Sequence, residues 1–268
     1  MLLSNKNAVI YGAGGSIGGA VARAFAAEGA TVFLTGPHRA SLQIVADDIL
    51  GAGGKAEISE LDALDKGAVD AHLGMMVQKA GSVDISFNAV GLKDTQSIPL
   101  TEMVLDDFLR PVSIAMQTQF LTATAAGRAM MKQGAGVILS ITATPGGIGY
   151  PLVGGFGPAC CAIESFSRDL ASELGIYGVR VVNIRSGGSP DTRIFREALE
   201  SEPQIGAGFL QKLEDDTMLK KLPLMADIAN TAVFLASDKA GRITGNTVDV
   251  TCGTTAALNY KMQVIPFV

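Results

Sequence analysis

The sequence predicts an α/β protein with a doubly wound, Rossmann-type parallel sheet of about seven strands, and three observations carry that expectation. Short apolar runs alternate along the chain with longer segments of helical period. Those runs are mainly apolar, which suits strands covered by helices on both faces. The first of them passes directly into a glycine-rich turn, "YGAGGSIGG" from Tyr11 to Gly19, and then into a helical pattern.

In chain order the expected strands are Ala8 to Tyr11, Thr31 to Thr35, Ala56 to Ser59, Val83 to Asn88, Val137 to Thr142, Val179 to Ile184 and Thr247 to Val250. The expected helices are Ile17 to Glu28, Ala40 to Leu50, Lys66 to Ala80, Thr101 to Met131, Pro158 to Leu174 and Asp227 to Ala236. The fifth helix opens on Pro158, where a missing N–H costs least. Its Ile163, Phe166, Leu170 and Leu174 form an apolar stripe at spacings of three to four. Residues 186–225 break the alternation with a Ser-, Gly- and Pro-containing stretch and then a mixed helical one. An insertion of that size in an α/β domain reads as a substrate lid.

At 268 residues, with 48% hydrophobic residues and no linker-like or low-complexity tract, the chain reads as one domain over 1–268. A net charge of −5 spread along the chain offers no basic stripe for nucleic acid and no polybasic membrane patch. No segment approaches the ~20 apolar residues of a membrane span, and the start lacks a leader pattern, so a cytoplasmic protein is expected. Cys160, Cys161 and Cys252 are an odd set without C-x-x-C spacing, and only His38 and His72 could join them, so no metal site is expected.

A glycine turn between the first strand and first helix lets backbone N–H groups approach a pyrophosphate, which the helix N-terminus then stabilises. The strict G-x-G-x-x-G pattern fails, because Ile17 stands at its third glycine. Tyr11, Gly12, Ala13, Gly14, Gly15, Ser16, Ile17 and Gly18 instead match the turn T-G-x-x-x-G-x-G, with Tyr for Thr and Ser for the middle glycine. "VDISFNAVG" keeps Asn88 and Gly91 of a D-x-L-V-N-N-A-G strand but has Ala89 at its second Asn. "ELDALD" contributes Asp62, and the tail "DIANTAVFLASDKAGRITGNTVDVTCG" is the closest match of all. On these residues the chain resembles the short-chain dehydrogenase/reductase family from about Asn7 to Gly253.

The resemblance implies a nucleotide site formed by Gly12, Gly15, Ser16, Ile17, Gly18, Asn88 and Gly91, with Asp62 at the adenine. Thr192 in "SPDTR" would hold the nicotinamide carboxamide, although it also fits a helix cap. After the second strand, NAD-binding relatives carry an acidic residue for the ribose hydroxyls; here "LTGPHRAS" places Gly36 there. With no carboxylate to repel a 2′-phosphate, and with His38 and Arg39 nearby, NADP(H) is favoured over NAD(H). Pro37 stands where many NADP-dependent relatives have arginine, and Arg39 also suits a solvated helix start.

In this family hydride moves between C4 of the nicotinamide and a substrate carbon. A tyrosine exchanges the matching proton, a lysine lowers its pKa, a serine orients the substrate oxygen, and an asparagine completes the relay. In the strand "GVILSITATPGG" the serine position falls on Ala143. Thirteen residues later the tyrosine position is Phe156, and four further the lysine position is Cys160. The asparagine position falls near Ser113. A shifted frame does not help. The longer Tyr-x6-Lys spacing of enoyl-reductase-like branches would put Gly157 after Tyr150 and Ile163 after Phe156, and no basic residue lies between Lys132 and Arg168.

Losing general acid help typically costs 10²- to 10⁴-fold, roughly 3 to 5.5 kcal/mol. Tyr150, Thr142 and Thr144 remain as candidate catalytic groups. The threonines equally suit a strand end, and Tyr150 simple packing. Cys160 and Cys161 read as small helix residues, since free cysteine commonly behaves as a small hydrophobe. The leading expectation is an oxidoreductase acting on a small carbonyl, alcohol or enone. A nucleotide-binding pseudoenzyme and a non-redox cyclase, isomerase or lyase stay open. The resemblance also implies a homotetramer or homodimer built on the fourth and fifth helices.

Overall fold

A computed structural model of the chain describes residues 1–201 and 203–256; Glu202 and residues 257–268 of the expected domain lie outside the described residues. Its strands are β1 (Asn7–Tyr11), β2 (Thr31–Gly36), β3 (Lys55–Glu60), β4 (Ile85–Asn88), β5 (Gly136–Ala143), β6 (Val179–Ser186) and β7 (Thr247–Val250). They form one parallel sheet in the order β3-β2-β1-β4-β5-β6-β7. The order reverses between β1 and β4, and the crevice beyond the carboxyl ends of these strands is where an open α/β sheet binds ligand.

The helices are α1 (Ser16–Ala27), α2 (Arg39–Gly51), α3 (Lys66–Ala80), α4 (Leu105–Gln133), α5 (Phe156–Leu174), α6 (Arg193–Ser201), α7 (Pro203–Asp215) and α8 (Met225–Ala236). Side chains alternate across each strand, so the sheet feeds two cores. Ala8 and Ile10 of β1 pack with Phe25 of α1, Val45 of α2 and Ile228 of α8. Val9 and Tyr11 point the other way, into Leu73 of α3, Met130 of α4 and Leu170 of α5. Strands buried on both faces are why the sequence shows unbroken apolar runs.

Several boundaries differ from expectation, among them three starts. Helix α4 starts at Leu105 and not Thr101, because the amides of Glu102 and Met103 turn back onto the Pro99 carbonyl (2.9 and 3.1 Å) and Val104 is extended. Strand β4 starts at Ile85 and not Val83, where the Asp84 carboxylate accepts the Asn7 amide at the foot of β1 (2.8 Å). Helix α5 starts at Phe156, which leaves Pro158 in its first turn, still among amides that have no intrahelical partner. The mixed stretch within residues 186–225 consists of α6 and α7. Among the described residues no helix is long and apolar enough to cross a membrane.

Candidate functional site

The turn after β1 is tight enough to require glycine at two points. Gly12 has φ +75°, and a Cβ there would lie 2.5 Å from the Ala89 carbonyl oxygen. A Cβ on Gly18 would lie 2.3 Å from the Gly12 oxygen. Gly15 is the extended N-cap of α1 with no side-chain cap, so the first amides of that helix face the crevice unspent by any capping side chain. A glycine-tight turn with an uncapped helix N-terminus suits the pyrophosphate of a dinucleotide. Ile17, at the place of the missing glycine, packs against the core of the α1 side. The Ser16 hydroxyl accepts the backbone amide of Arg193 at the start of α6 (3.1 Å).

At the adenosine end β2 closes on Gly36, His38 is the extended N-cap of α2, and Arg39 is its exposed first residue. Ser41 is a residue that sequence reasoning missed. Its hydroxyl donates to the His38 carbonyl (2.9 Å) and would lie 2.2 Å from a Cβ on Gly14, so it covers the phosphate turn from the α2 side. Asp62 is exposed, with one carboxylate oxygen accepting the Leu64 amide (2.9 Å). Gly91 has open space where a side chain would be.

Two expected cofactor residues are engaged within the protein. Asn88 is buried; its Oδ1 accepts the Val90 amide and its Nδ2 donates to Thr122 Oγ1, both at 3.0 Å, so it locks the turn leaving β4. Thr192 donates its hydroxyl to the Ser189 carbonyl (2.9 Å) as a turn cap. The Ser189 hydroxyl is buried and has no hydrogen-bond partner among the described residues.

At the catalytic end, Ala143 closes β5, Phe156 opens α5 and Cys160 lies one turn further on. Cys160 is 1% exposed, and burial pushes its thiol up to about 12, against a hydrogen bond from the Ala143 backbone. Cys161 is exposed and donates to the Gly146 carbonyl, so the two thiols face different surroundings. Ser113, expected near the asparagine position, is exposed, whereas Ala115, two residues on, is fully buried against Ala159 and Ile163 of α5.

Thr142 is drawn away from the crevice into a buried polar network. Its hydroxyl accepts from Asn183 Nδ2 (2.7 Å) and donates to Glu164 Oε1 (2.9 Å). Arg185 grips the same carboxylate in bidentate fashion, through Nε to Oε1 (3.0 Å) and Nη2 to Oε2 (2.5 Å), and reaches Asp249 with Nη1 (3.0 Å). Ser140 continues the chain to Asn183 (2.8 Å) and Ser167 (3.1 Å). The bond to Glu164 holds Arg185 still more firmly in its charged form. Sequence reasoning missed this pair, whose signal was a carboxylate on the apolar stripe of α5 and an arginine in the apolar run of β6.

Thr144 is buried, and its carbonyl accepts the amides of Gly147 and Ile148, which folds a short 3-10 turn. Tyr150 is half-buried near the end of α7. Burial and the charge of Asp216 push its phenol up, and Lys212 opposes them. A phenol held neutral in this way is not prepared to act as a base.

The sequence profile described as Enoyl-(Acyl carrier protein) reductase matches residues 12–255. The chain is 30% identical to the "Uncharacterized oxidoreductase YxbG" of Bacillus subtilis (strain 168), over 95% of this chain and 92% of that one. It is 31% identical to the 3-oxoacyl-[acyl-carrier-protein] reductase FabG of Escherichia coli (strain K12), over 94% and 98%. Among solved structures, one from Burkholderia xenovorans described as a short-chain dehydrogenase/reductase superposes with a TM-score of 0.88 at 26% identity, over 96% and 99%.

Proposed function

Because the chain belongs to the short-chain dehydrogenase/reductase family, we propose that it is an NADP(H)-dependent oxidoreductase acting on a small carbonyl, alcohol or enone through a non-standard proton-exchanging group. The observation that carries this reading is the turn at Gly12 and Gly18, where no side chain fits and the N-terminus of α1 is left uncapped. The bound cofactor supplies or accepts hydride at its nicotinamide ring. Gly12, Gly15, Ser16, Ile17 and Gly18 shape the pyrophosphate site, Asp62 and Gly91 border the rest of the cofactor, and Asn88 and Thr192 hold the backbone around it. FabG, by its name, reduces a 3-oxoacyl group, and the same carbonyl class is carried over as the substrate type.

The NADP(H) preference is supported by the adenosine end. Gly36 brings no carboxylate there, and His38, exposed Arg39 and the Ser41 hydroxyl border the α2 start. Fluorescence titration tests the reading: NADPH binding tighter than NADH is expected, and no binding of either removes it. Residues 186–225 act as the substrate lid, supported by the contact of α6 with Ser16 and by Tyr150 lying near α7. A homodimer or homotetramer through α4 and α5 is supported by Phe120, 56% exposed, whose ring stacks at a tilt on Phe166 of α5 (6.3 Å).

One observation favours a second reading, a nucleotide-binding protein without turnover: Ala143, Phe156 and neutral Cys160 occupy three of the family's catalytic positions. Cofactor-linked conversion of any alcohol or ketone would remove it.

A further inference from the structure

We propose that Glu164 and Arg185 are positioning residues for the reaction proposed above: their buried ion pair seats the turn over residues 144–147 and so sets one wall of the substrate end of the crevice. The role rests on the oxidoreductase reading and acts through the turn, with neither side chain touching substrate.

The turn stands directly after β5, which ends at Ala143, on the side of the sheet where the carboxyl ends of the strands take ligand in an open α/β fold. It is closed on itself, since the Thr144 carbonyl accepts the amides of Gly147 (2.9 Å) and Ile148 (3.2 Å). Two glycines let it lie on the ion pair with no side chain between. A Cβ on Gly146 would fall 2.3 Å from Glu164 Oε1, and one on Gly147 would fall 2.7 Å from Arg185 Nη1 and 3.0 Å from Thr255 Cγ2. Neither glycine has a left-handed φ, so close approach to the pair, and not the dihedrals of the turn, is what demands glycine at both places. From α5 the Cys161 thiol donates to the Gly146 carbonyl (3.6 Å) and holds the same turn.

Beneath the turn the pair is fixed in direction as well as place. Glu164 Oε1 accepts from Thr142 of β5 (2.9 Å) and from Arg185 Nε of β6 (3.0 Å), Oε2 accepts from Arg185 Nη2 (2.5 Å), and Nη1 reaches Asp249 of β7 (3.0 Å). The side chains of Glu164 and Arg185 are 6% and 13% exposed. Burying such a pair is a poor route to stability, because apolar residues of similar volume often serve as well or better. What a bidentate fork adds is a fixed orientation. The turn thereby takes its place from three strand ends at once, and a shift of about 1 Å in groups that position a substrate can cost on the order of 100-fold in rate.

The test uses the full-length protein, NADPH and NADH titrations, and cyclohexanone, acetophenone and ethyl acetoacetate as probe ketones. Glu164→Leu/Arg185→Met removes both charges together and should keep most of the parental stability. Its KM for ketone should nevertheless rise about tenfold or more, with NADPH affinity unchanged. Gly146→Ala keeps both charges, pushes the turn off Glu164, and should raise KM in the same way. Met130→Ala, a buried α4 position packed against Gly136 at the start of β5, should lower stability and leave KM parental. A merely structural role would make KM follow stability through all three.

The alkylation rate of exposed Cys161, in a Cys252→Ser background without cofactor, reads the turn without turnover. Loss of the bond to Gly146 should quicken it in Glu164→Leu/Arg185→Met and in Gly146→Ala, and not in Met130→Ala. Parental KM or an unchanged alkylation rate in the double variant overturns the assignment, as does a parent that binds NADPH yet reduces none of the probe ketones. Failure to bind either cofactor appears in the titrations alone and marks failure of the oxidoreductase reading, while the alkylation rate still reports whether the pair seats the turn.

Discussion

The two ends of the crevice have been treated differently. At the nucleotide end the backbone itself is the binding surface, so the constraint falls on the absence of side chains at Gly12 and Gly18. At the end where the resemblance expects a serine, a tyrosine and a lysine the constraint would fall on side-chain chemistry, and there the sequence frame places Ala143, Phe156 and Cys160. Beneath them the interior has gained a charge pair, Glu164 and Arg185, which ties α5 to β5, β6 and β7. On the proposed reading, backbone geometry and proton chemistry are separable in this scaffold.

The largest expected effect comes from restoring the family's groups. Phe156→Tyr with Cys160→Lys should raise ketone reduction by about 10²- to 10⁴-fold, measured as NADPH consumption. No gain in a folded, cofactor-binding protein would mean that the catalytic end departs by more than its reacting side chains. Next, Arg185→Met would leave Glu164, whose side chain is 6% exposed, without its cation. A cost of about 3–5 kcal/mol is expected in denaturant unfolding, with most of it recovered in Glu164→Leu/Arg185→Met. Equal losses in the single and double variants would show that the pair is not what holds this end together.

A smaller effect is expected at the nucleotide end. Gly12→Ala forces a side chain to φ +75° and onto the Ala89 carbonyl, so NADPH affinity should fall at least tenfold with ~1–3 kcal/mol of strain. Gly91→Ala, in open space, should change stability little. Parental affinity in Gly12→Ala would break the contrast between the two ends.

The smallest effect is in pH dependence. Burial raises the Cys160 thiol to about 12 in the folded chain, whereas an unfolded thiol ionises near 8.5–9. The unfolded state therefore loses its proton first, and the stability this thiol contributes is complete below the unfolded value. It declines as pH rises toward the folded one. Thermal melts from pH 8 upward should fall more steeply in the parent than in Cys160→Ala.

Much of the fold was legible because strands buried on both faces are largely apolar, and β1 and β5 write this plainly. The nucleotide turn was legible for the related reason that only glycine meets its geometry. The catalytic end was legible as a set of losses, through fixed spacings from Ala143 to Phe156 and Cys160. A group to take their place was not, because the path of the loop over residues 89–97 depends on contacts with Leu152 and Gly154, far away in sequence. That Ser113 is exposed and Ala115 buried was not legible either, since helical phase near Pro111 is set by packing against α5. Glu164 and Arg185 each look like a surface charge until β6 is laid beside β5.

On the proposed reading of residues 186–225 as a lid, the hydrogen bond from Arg193 to Ser16 would make the lid a competitor for the cofactor. A hydroxyl that pins the start of α6 would be one that an arriving pyrophosphate must win, so nucleotide entry and release of α6 would become one exchange. Measured affinity would then report the turn's intrinsic grip lowered in proportion to the fraction of molecules left unlatched. Ser16→Gly, which returns the turn to the family's glycine, unfastens that latch without touching the amides that hold the phosphate.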